Sequence, residues 1–402
     1  MVDNKLTRRN FISGVGTSAL ALALVKPEPV RGSNENSKIN LGIIGCGGRG
    51  SWIADLFQKH GGYNIVAAAD YFQDRVDAFG GRFNVPANRR YTSLSCYKKL
   101  LESKVDAVAI MSPPYFHPEQ AQNAVEAGVH VYLAKPIAVD VPGSKNVESS
   151  GKEATKKNLC FLVDFQTRVD EFYIKAIERV HSGAIGDMVF GEASYHCGRL
   201  GRQAEPGTPE ARLKNWVFDK ALSGDIITEQ NIHSLDVMSW IMKKTPLHAT
   251  GTGSRKVRTD VGDCWDNFSL VYEYPDQVGI SFSSRQFNAH DTKPDGIRNR
   301  MFGTKGVLET QYGGKVFIRG KEYYTGGSTS TIYHQGAVNN IADFHRNIMG
   351  KNYINNTVAE SVRSNLVTIL GRTAAYQKRR VTWNELLRDT KKMDVRLDGL
   401  KL

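Results

Sequence analysis

Two groups of residues in this 402-residue chain have the types and spacing to do chemistry together. The first is Gly45-Cys46-Gly47-Gly48-Arg49-Gly50, a G-x-G-x-x-G run, with Asp70 twenty residues beyond its last glycine. Gly45 permits a tight turn, Gly47 lets backbone approach a pyrophosphate, and Gly50 lets a helix and strand pack closely. Asp70 can accept from both ribose hydroxyls, and its charge repels a 2′-phosphate, so the expected cofactor is NAD, with NADP disfavoured. Arg49 counts with the cofactor residues, although a solvated helix-start residue would look the same. The second group is Glu229 and His233, four apart after Gly224, where a single helix would set both on one face. An imidazole titrates near neutrality, which suits taking a hydroxyl proton as a hydride leaves. On residue pattern alone, a buried histidine capped by Asp236 explains His233 better.

The elements that must carry these residues follow from hydrophobic patterning. Residues 38–44 form a short apolar strand, an apolar helical stretch follows the glycines, and Ile65–Ala69 is a second strand ending in Asp70. Helices are expected at 72–79 and 97–102. A strand at Ala107–Met111 runs into Ser112-Pro113-Pro114-Tyr115-Phe116-His117, and a helix from Glu119 stops at Gly128. Val129–Leu133 is another strand, closing on Ala134-Lys135-Pro136. Strands alternating with helices at this spacing give a doubly wound parallel sheet, whose ligands bind at the carboxyl ends of the strands. The glycine turn, Asp70, Ser112–His117 and Ala134–Pro136 all fall at those ends. Farther along, a helix at 172–181 precedes a long strand, Met188–His196. Alternation sends one of Tyr195 and His196 inward without saying which. Phe268–Tyr274 and Val278–Ser284 alternate about Pro275-Asp276 as antiparallel neighbours. Further strands are expected at 303–309 and 315–319, and a long helix at 358–378.

The spacing of G-x-G-x-x-G, S-P-P-x-x-H and G-V-H-V-Y-L-A-K-P resembles the glucose–fructose oxidoreductase / inositol dehydrogenase (Gfo/Idh/MocA) family over about residues 38–385. The resemblance implies an N-terminal Rossmann domain and a C-terminal α/β domain with a large open, mainly antiparallel sheet. These are set at 38–160 and 161–402. It further implies a substrate between that sheet and the nicotinamide, and a homo-oligomer, dimer or tetramer. By the same resemblance Lys135 lies beside the nicotinamide ribose and lowers the pKa of a bound hydroxyl or relays its proton, His233 is the general acid/base, and Glu229 orients or charges it. Ser112, Pro113, His117 and Ala134 join the cofactor residues, and Arg168 and Tyr195 are candidates for holding substrate, Arg168 being as good a structural ion-pair partner. Two residues depart from the pattern. Ala134 stands where a glutamate is usual, removing a carboxylate that would help hold the ribose. Glu229 stands for an aspartate and is one methylene longer.

Composition is that of a globular protein, with 41% hydrophobic and 23% charged residues. The net charge of +12 is spread along the chain with only modest clusters, and no nucleic-acid recognition motif accompanies it. Five separated cysteines give neither a disulfide framework nor a metal site. Residues 1–32, with Thr7-Arg8-Arg9-Asn10-Phe11-Ile12 before a small apolar stretch, resemble a twin-arginine export signal, implying a periplasmic protein, or a cytoplasmic one if the signal is unused. No later stretch is apolar enough for a membrane span. The expected activity is therefore NAD-dependent oxidation of a CH–OH group on a small carbohydrate: a sugar, cyclitol or derivative. The alternatives are an oxidation–elimination glycosidase with bound NAD, against which its characteristic histidine segment is not found, and a non-catalytic dinucleotide-binding protein.

Overall fold

Strand β1 (Ile39–Ile44) is apolar on both faces, and such a strand is stable only inside a sheet covered on both sides. A computed structural model describes residues 38–402 apart from Pro294, and the signal segment expected at 1–32 lies outside the described residues. After β1 come α1 (Gly48–His60), β2 (Tyr63–Asp70), α2 (Gln73–Phe83), β3 (Arg90–Thr92), α3 (Cys96–Glu102), β4 (Ala107–Ile110), α4 (His117–Glu126), β5 (His130–Ala134), α5 (Val141–Lys156) and β6 (Phe161–Asp164). Their six strands form one parallel sheet in the order β3-β2-β1-β4-β5-β6. This is the doubly wound sheet expected from sequence, with one correction. The boundary set after residue 160 would cut off β6, which pairs with β5 through Val131–Ala134 and completes the sheet.

Helix α6 (Glu171–His181) leads to β7 (Met188–Cys197), then to α7 (Pro209–Lys214), α8 (Lys220–Ser223), α9 (Asp225–Glu229) and α10 (Ile232–Met242). There follow β8 (His248–Ser254), β9 (Asn267–Tyr274), β10 (Val278–Gln286), β11 (Gly296–Gly303), β12 (Gly306–Gln311), β13 (Lys315–Gly320) and β14 (Tyr324–Ser328). The chain closes with α11 (Ile332–Met349), α12 (Asn356–Gln377), β15 (Val381–Thr382) and α13 (Trp383–Leu387). The second sheet has nine strands in the order β14-β13-β12-β11-β7-β10-β9-β8-β15, all antiparallel pairs except β7 with β10. It is the large, mainly antiparallel sheet expected. Its strands alternate as one-sided strands must: Phe268, Leu270, Tyr272 and Tyr274 of β9 are buried, while Val271 is 47% exposed. The strand expected at 303–309 is corrected: Gly303 ends β11 and Gly306 begins β12, so a hairpin turn lies inside that range.

Helix α12 joins the two sheets. It packs on α5 and β6 of the first domain and on β8 and β9 of the second. Gly371 marks the closest approach, since a Cβ there would lie 2.0 Å from the Tyr272 hydroxyl. That hydroxyl donates to the Val367 carbonyl of the same helix. No helix among the described residues is long and apolar enough to cross a membrane. Gly371→Val should overpack this contact and lower stability by about 1–3 kcal/mol, read as a fall in urea midpoint at unchanged m. An unchanged midpoint would show that α12 can ride away from the sheet freely.

Candidate active site between two sheets

The turn after β1 is built by its glycines. Gly45 has φ +96°, and a Cβ on it would meet the Met111 backbone at 2.6 Å; a Cβ on Gly50 would lie 1.8 Å from the Gly45 oxygen. In front of Gly47 the space is open, with only the Arg75 guanidinium at 3.6 Å. No side chain caps the N-terminus of α1, so its first N–H groups face the cavity before them unpaired by any cap. That cavity, about 320 Å³, is lined by Gly45, Gly47, Arg49, Gly50, Asp70, Ser112 and Pro113, and continues past Tyr71, Phe72 and Arg75. Asp70 accepts from the backbone N–H groups of Cys46 at 2.7 Å and Phe72 at 3.0 Å. These bonds fix it at the end of β2, while burial raises its pKa against them. A cradle free of side chains, an uncapped helix start and a fixed carboxylate fit a dinucleotide's pyrophosphate and ribose.

Arg49 reaches across the strand ends instead of staying beside the glycines. Its Nη2 lies 2.6 Å from Asp164 at the end of β6, and its guanidinium sits 4.6 Å from the Trp52 ring and 5.4 Å from that of Tyr333. It still lines the cavity. Asp164 also accepts from Asn340 Nδ2 at 2.9 Å, tying α11 to the first sheet. Ser112 donates to Gln120 Oε1, and Pro113 lines the cavity as expected. His117 does not reach it. The ring is 1% exposed, with Nδ1 2.8 Å from the Pro136 carbonyl and Nε2 2.7 Å from that of Ser112. Burial pushes its pKa down to about 4 against the pull of both carbonyls. This corrects its placement among cofactor ligands: the ring is wedged between two strand-end carbonyls and, as a neutral imidazole, donates its one N–H to one of them.

Ala134 is buried, and the chain turns after it so that Lys135 points into the second domain. Lys135 Nζ donates to the Glu229 carbonyl at 2.7 Å and lies 3.4 Å from Glu229 Oε1. The single helix expected through Glu229 and His233 is corrected. Helix α9 ends at Glu229 and α10 begins at Ile232, and the Gln230-Asn231 break turns Glu229 toward Lys135. His233 Nδ1 is buried and has no hydrogen-bond partner among the described residues. Burial first, then the positive charges of Lys135 and Arg49, hold the imidazole well below its usual range, so it is neutral at pH 7. The Tyr195 ring lies 6.5 Å from His233, whereas His196 pairs with Ser283 at 3.1 Å on the opposite face of the sheet. Tyr195 is thus the inward residue of that pair.

Arg168 proves to be structural. It donates to Asp236 through Nε at 3.0 Å and Nη2 at 2.8 Å, and to Glu360 through Nη1 at 2.8 Å. Asp236, with no exposed side-chain surface, also accepts from Ser364 Oγ at 2.7 Å. It therefore caps neither His233 nor substrate, and Arg168 is spent on neutralising it. Sequence reading missed Asp164, Tyr312 and Tyr333. Tyr312 lies 5.5 Å from the His233 ring, and its hydroxyl is buried without a partner among the described residues. The only signal for Asp164 was an acid at a strand end; Tyr312 gave none.

The first half of the chain matches, over residues 39–165, the model of the Gfo/Idh/MocA "Oxidoreductase family, NAD-binding Rossmann fold", and residues 173–309 match that family's C-terminal domain. The chain belongs to the Gfo/Idh/MocA oxidoreductase family. A glycosyl hydrolase family 109 protein of Shewanella pealeana is 28% identical over 213 residues, 48% of this chain and 46% of its own length. The chain thus spans about half of that relative. The inositol 2-dehydrogenase of Rhizobium meliloti is 22% identical over 68% of this chain and 76% of its own. The crystal structure of myo-inositol 2-dehydrogenase from Lactobacillus plantarum superposes with a TM-score of 0.67 at 20% identity, covering 86% of this chain and 99% of that one, which shows the shared fold. Within this Gfo/Idh/MocA chain, Arg168→Ala should strand Asp236 and lower stability by about 3 kcal/mol or more in urea unfolding. NADH binding by the folded variant should be unchanged. Normal stability with a raised KM would instead return Arg168 to the substrate.

Proposed function

We propose that this family member is an NAD-dependent oxidoreductase acting on a CH–OH group of a neutral sugar, cyclitol or derivative. The observation that carries the reading is the meeting of Lys135, from the end of β5, with Glu229 and with His233, whose buried ring feels the charges of Lys135 and of Arg49, a residue that also lines the cavity at Gly45–Gly50. Bound NAD supplies a hydride acceptor there. The side chains do the rest. His233 is neutral and its Nδ1 unpaired, so it can accept a hydroxyl proton. Lys135, anchored by Glu229, favours the developing alkoxide electrostatically. Charges in the cleft are paired, Lys135 with Glu229 and Arg49 with Asp164, and Tyr195, Tyr312 and Tyr333 add aromatic surface and hydroxyls. That environment suits a neutral polyhydroxylated ring better than a carboxylate.

NAD is proposed over NADP because Asp70 occupies the ribose position. NAD should bind more than about tenfold tighter, a difference of ~1.4 kcal/mol, and equal affinities by titration would refute this. The twin-arginine-like segment supports export of the folded, cofactor-loaded protein, and the partly apolar open face of the second sheet (Phe190 44% exposed) supports a homo-oligomer. A second reading, the oxidation–elimination glycosidase, is favoured by the 28%-identical family 109 relative. The two differ in the fate of the hydride. An oxidoreductase needs added NAD or an acceptor to turn over. A glycosidase cleaves glycosides through many turnovers without it and, in deuterated water, labels the carbon next to the oxidised one.

A panel of pyranoses, cyclitols and glycosides should give cofactor reduction on a free polyol. Multi-turnover glycoside cleavage without added NAD, with that label, would overturn the dehydrogenase reading. On the substrate so found, His233→Ala should lower kcat by roughly 10²–10⁴ while NADH still binds. Near-normal turnover would make the histidine structural. Because the folded pKa of His233 lies below its usual value, the base form persists as pH falls through 6.5. The acidic limb of kcat/KM for oxidation should therefore lie well below 6.5, and a limb centred at 6.5 would contradict the burial argument.

A further inference from the structure

The adenosine end of the cavity is not left to the first domain. Gln203, Leu213, Lys214 and Trp216, all from the stretch after β7, line the same space as Gly45–Gly50 and Asp70. Lys214 Nζ lies 4.8 Å from the Phe72 ring centroid, and the Arg75 guanidinium lies 4.7 Å from the same ring. Two cations thus stand beside the end of β2, next to the ribose position, and Arg75 also faces Gly47, where the pyrophosphate would sit. The covering segment is itself internally braced: Asn215 accepts from the Gln203 N–H at 2.8 Å and donates to the Ala204 carbonyl at 2.8 Å.

The C-terminal tail then ties this cover down. Arg212 Nη1 donates to the carbonyls of Val395 and Arg396. The Tyr71 hydroxyl accepts from the Lys401 N–H at 3.1 Å and donates to Glu210 at 3.3 Å, joining tail, cover and β2 in one bridge. The Leu94 N–H donates to the Lys401 carbonyl at 3.0 Å. Beneath these bonds Phe72, Leu213, Leu222 and Val395 form an apolar cluster, against which Trp216 and Leu397 pack.

We propose that residues 203–216 and the tail 389–402 together hold the adenosine half of the dinucleotide, making it a resident cofactor that leaves slowly instead of a cosubstrate released at each turnover. The proposal rests on the dinucleotide reading above. Release requires the cover to lift, and lifting it exposes the apolar cluster and breaks the tail's hydrogen bonds, so the effect falls on the dissociation rate.

The test uses the full chain loaded with NADH, diluted into excess NAD, with release followed by nicotinamide fluorescence. Trp216→Ala opens the cover directly, and Leu397→Asp detaches the tail without touching the dinucleotide. Each should speed release at least about tenfold while the apoprotein's unfolding temperature stays near that of the native chain. Release within twofold of the native rate in both variants would overturn the proposal, as would native release faster than about once per second. If either variant does not fold, hydrogen exchange of the native chain decides: NADH should protect amides in 209–214 and 394–401, and no added protection overturns it. A native chain that binds no NADH at all would refute the oxidoreductase reading itself. Binding with unhindered release would refute only the strap.

Discussion

One contact that crosses from the first domain to the second sets the geometry of the site: Lys135, at the end of β5, is held by the backbone and side chain of Glu229. A lysine at a strand end has rotamer freedom to lose, and two acceptors at one address remove it. The contact exists only because α9 stops at Glu229 and because α12 clamps both sheets to a common core. It also sets the electrostatics next door. Burial disfavours the charged imidazole of His233, and the positive charges of Lys135 and Arg49 add to that, so the ring is held neutral.

The parts of the site that were legible in sequence are those whose constraints are local. A glycine at Gly45 and Gly50 is demanded by backbone within a few ångströms, and Asp70 is placed by the length of one strand–helix–strand unit. The parallel sheet followed from apolar runs such as Ala107–Ile110, all buried. What sequence could not give was set by tertiary partners. Nothing in Glu229-Gln230-Asn231-Ile232-His233 announces a helix break, yet the break decides whether Glu229 serves His233 or Lys135. Arg168 and His117 looked like ligand-facing polar residues until Asp236 and two loop carbonyls claimed them. In the second domain, β9 and β10 showed clean alternation, whereas β11 mixes charged and apolar residues at half-buried positions and was missed.

Ala134 gains meaning beside the cover over the adenosine end. A glutamate expected there by family resemblance would hold the ribose near the nicotinamide; a buried alanine cannot. On the proposal above, the grip on the dinucleotide would shift toward its other end, where Lys214, Arg75 and the strapped segment 203–216 lie. A site loosened beside the chemistry and tightened at the far end would leave the nicotinamide free to adjust to substrate without being lost.

A dinucleotide bound along the cradle in front of Gly47 would end beside Lys135 and His233. Native mass spectrometry after incubation with NAD and desalting tests this most directly, with Gly47→Val as the paired sample, since a branched side chain would fill that open space. One NAD per native chain and the bare protein mass for Gly47→Val are the expected results. A native chain that shows only its bare mass, or a Gly47→Val chain that retains NAD equally, would contradict binding along this cradle.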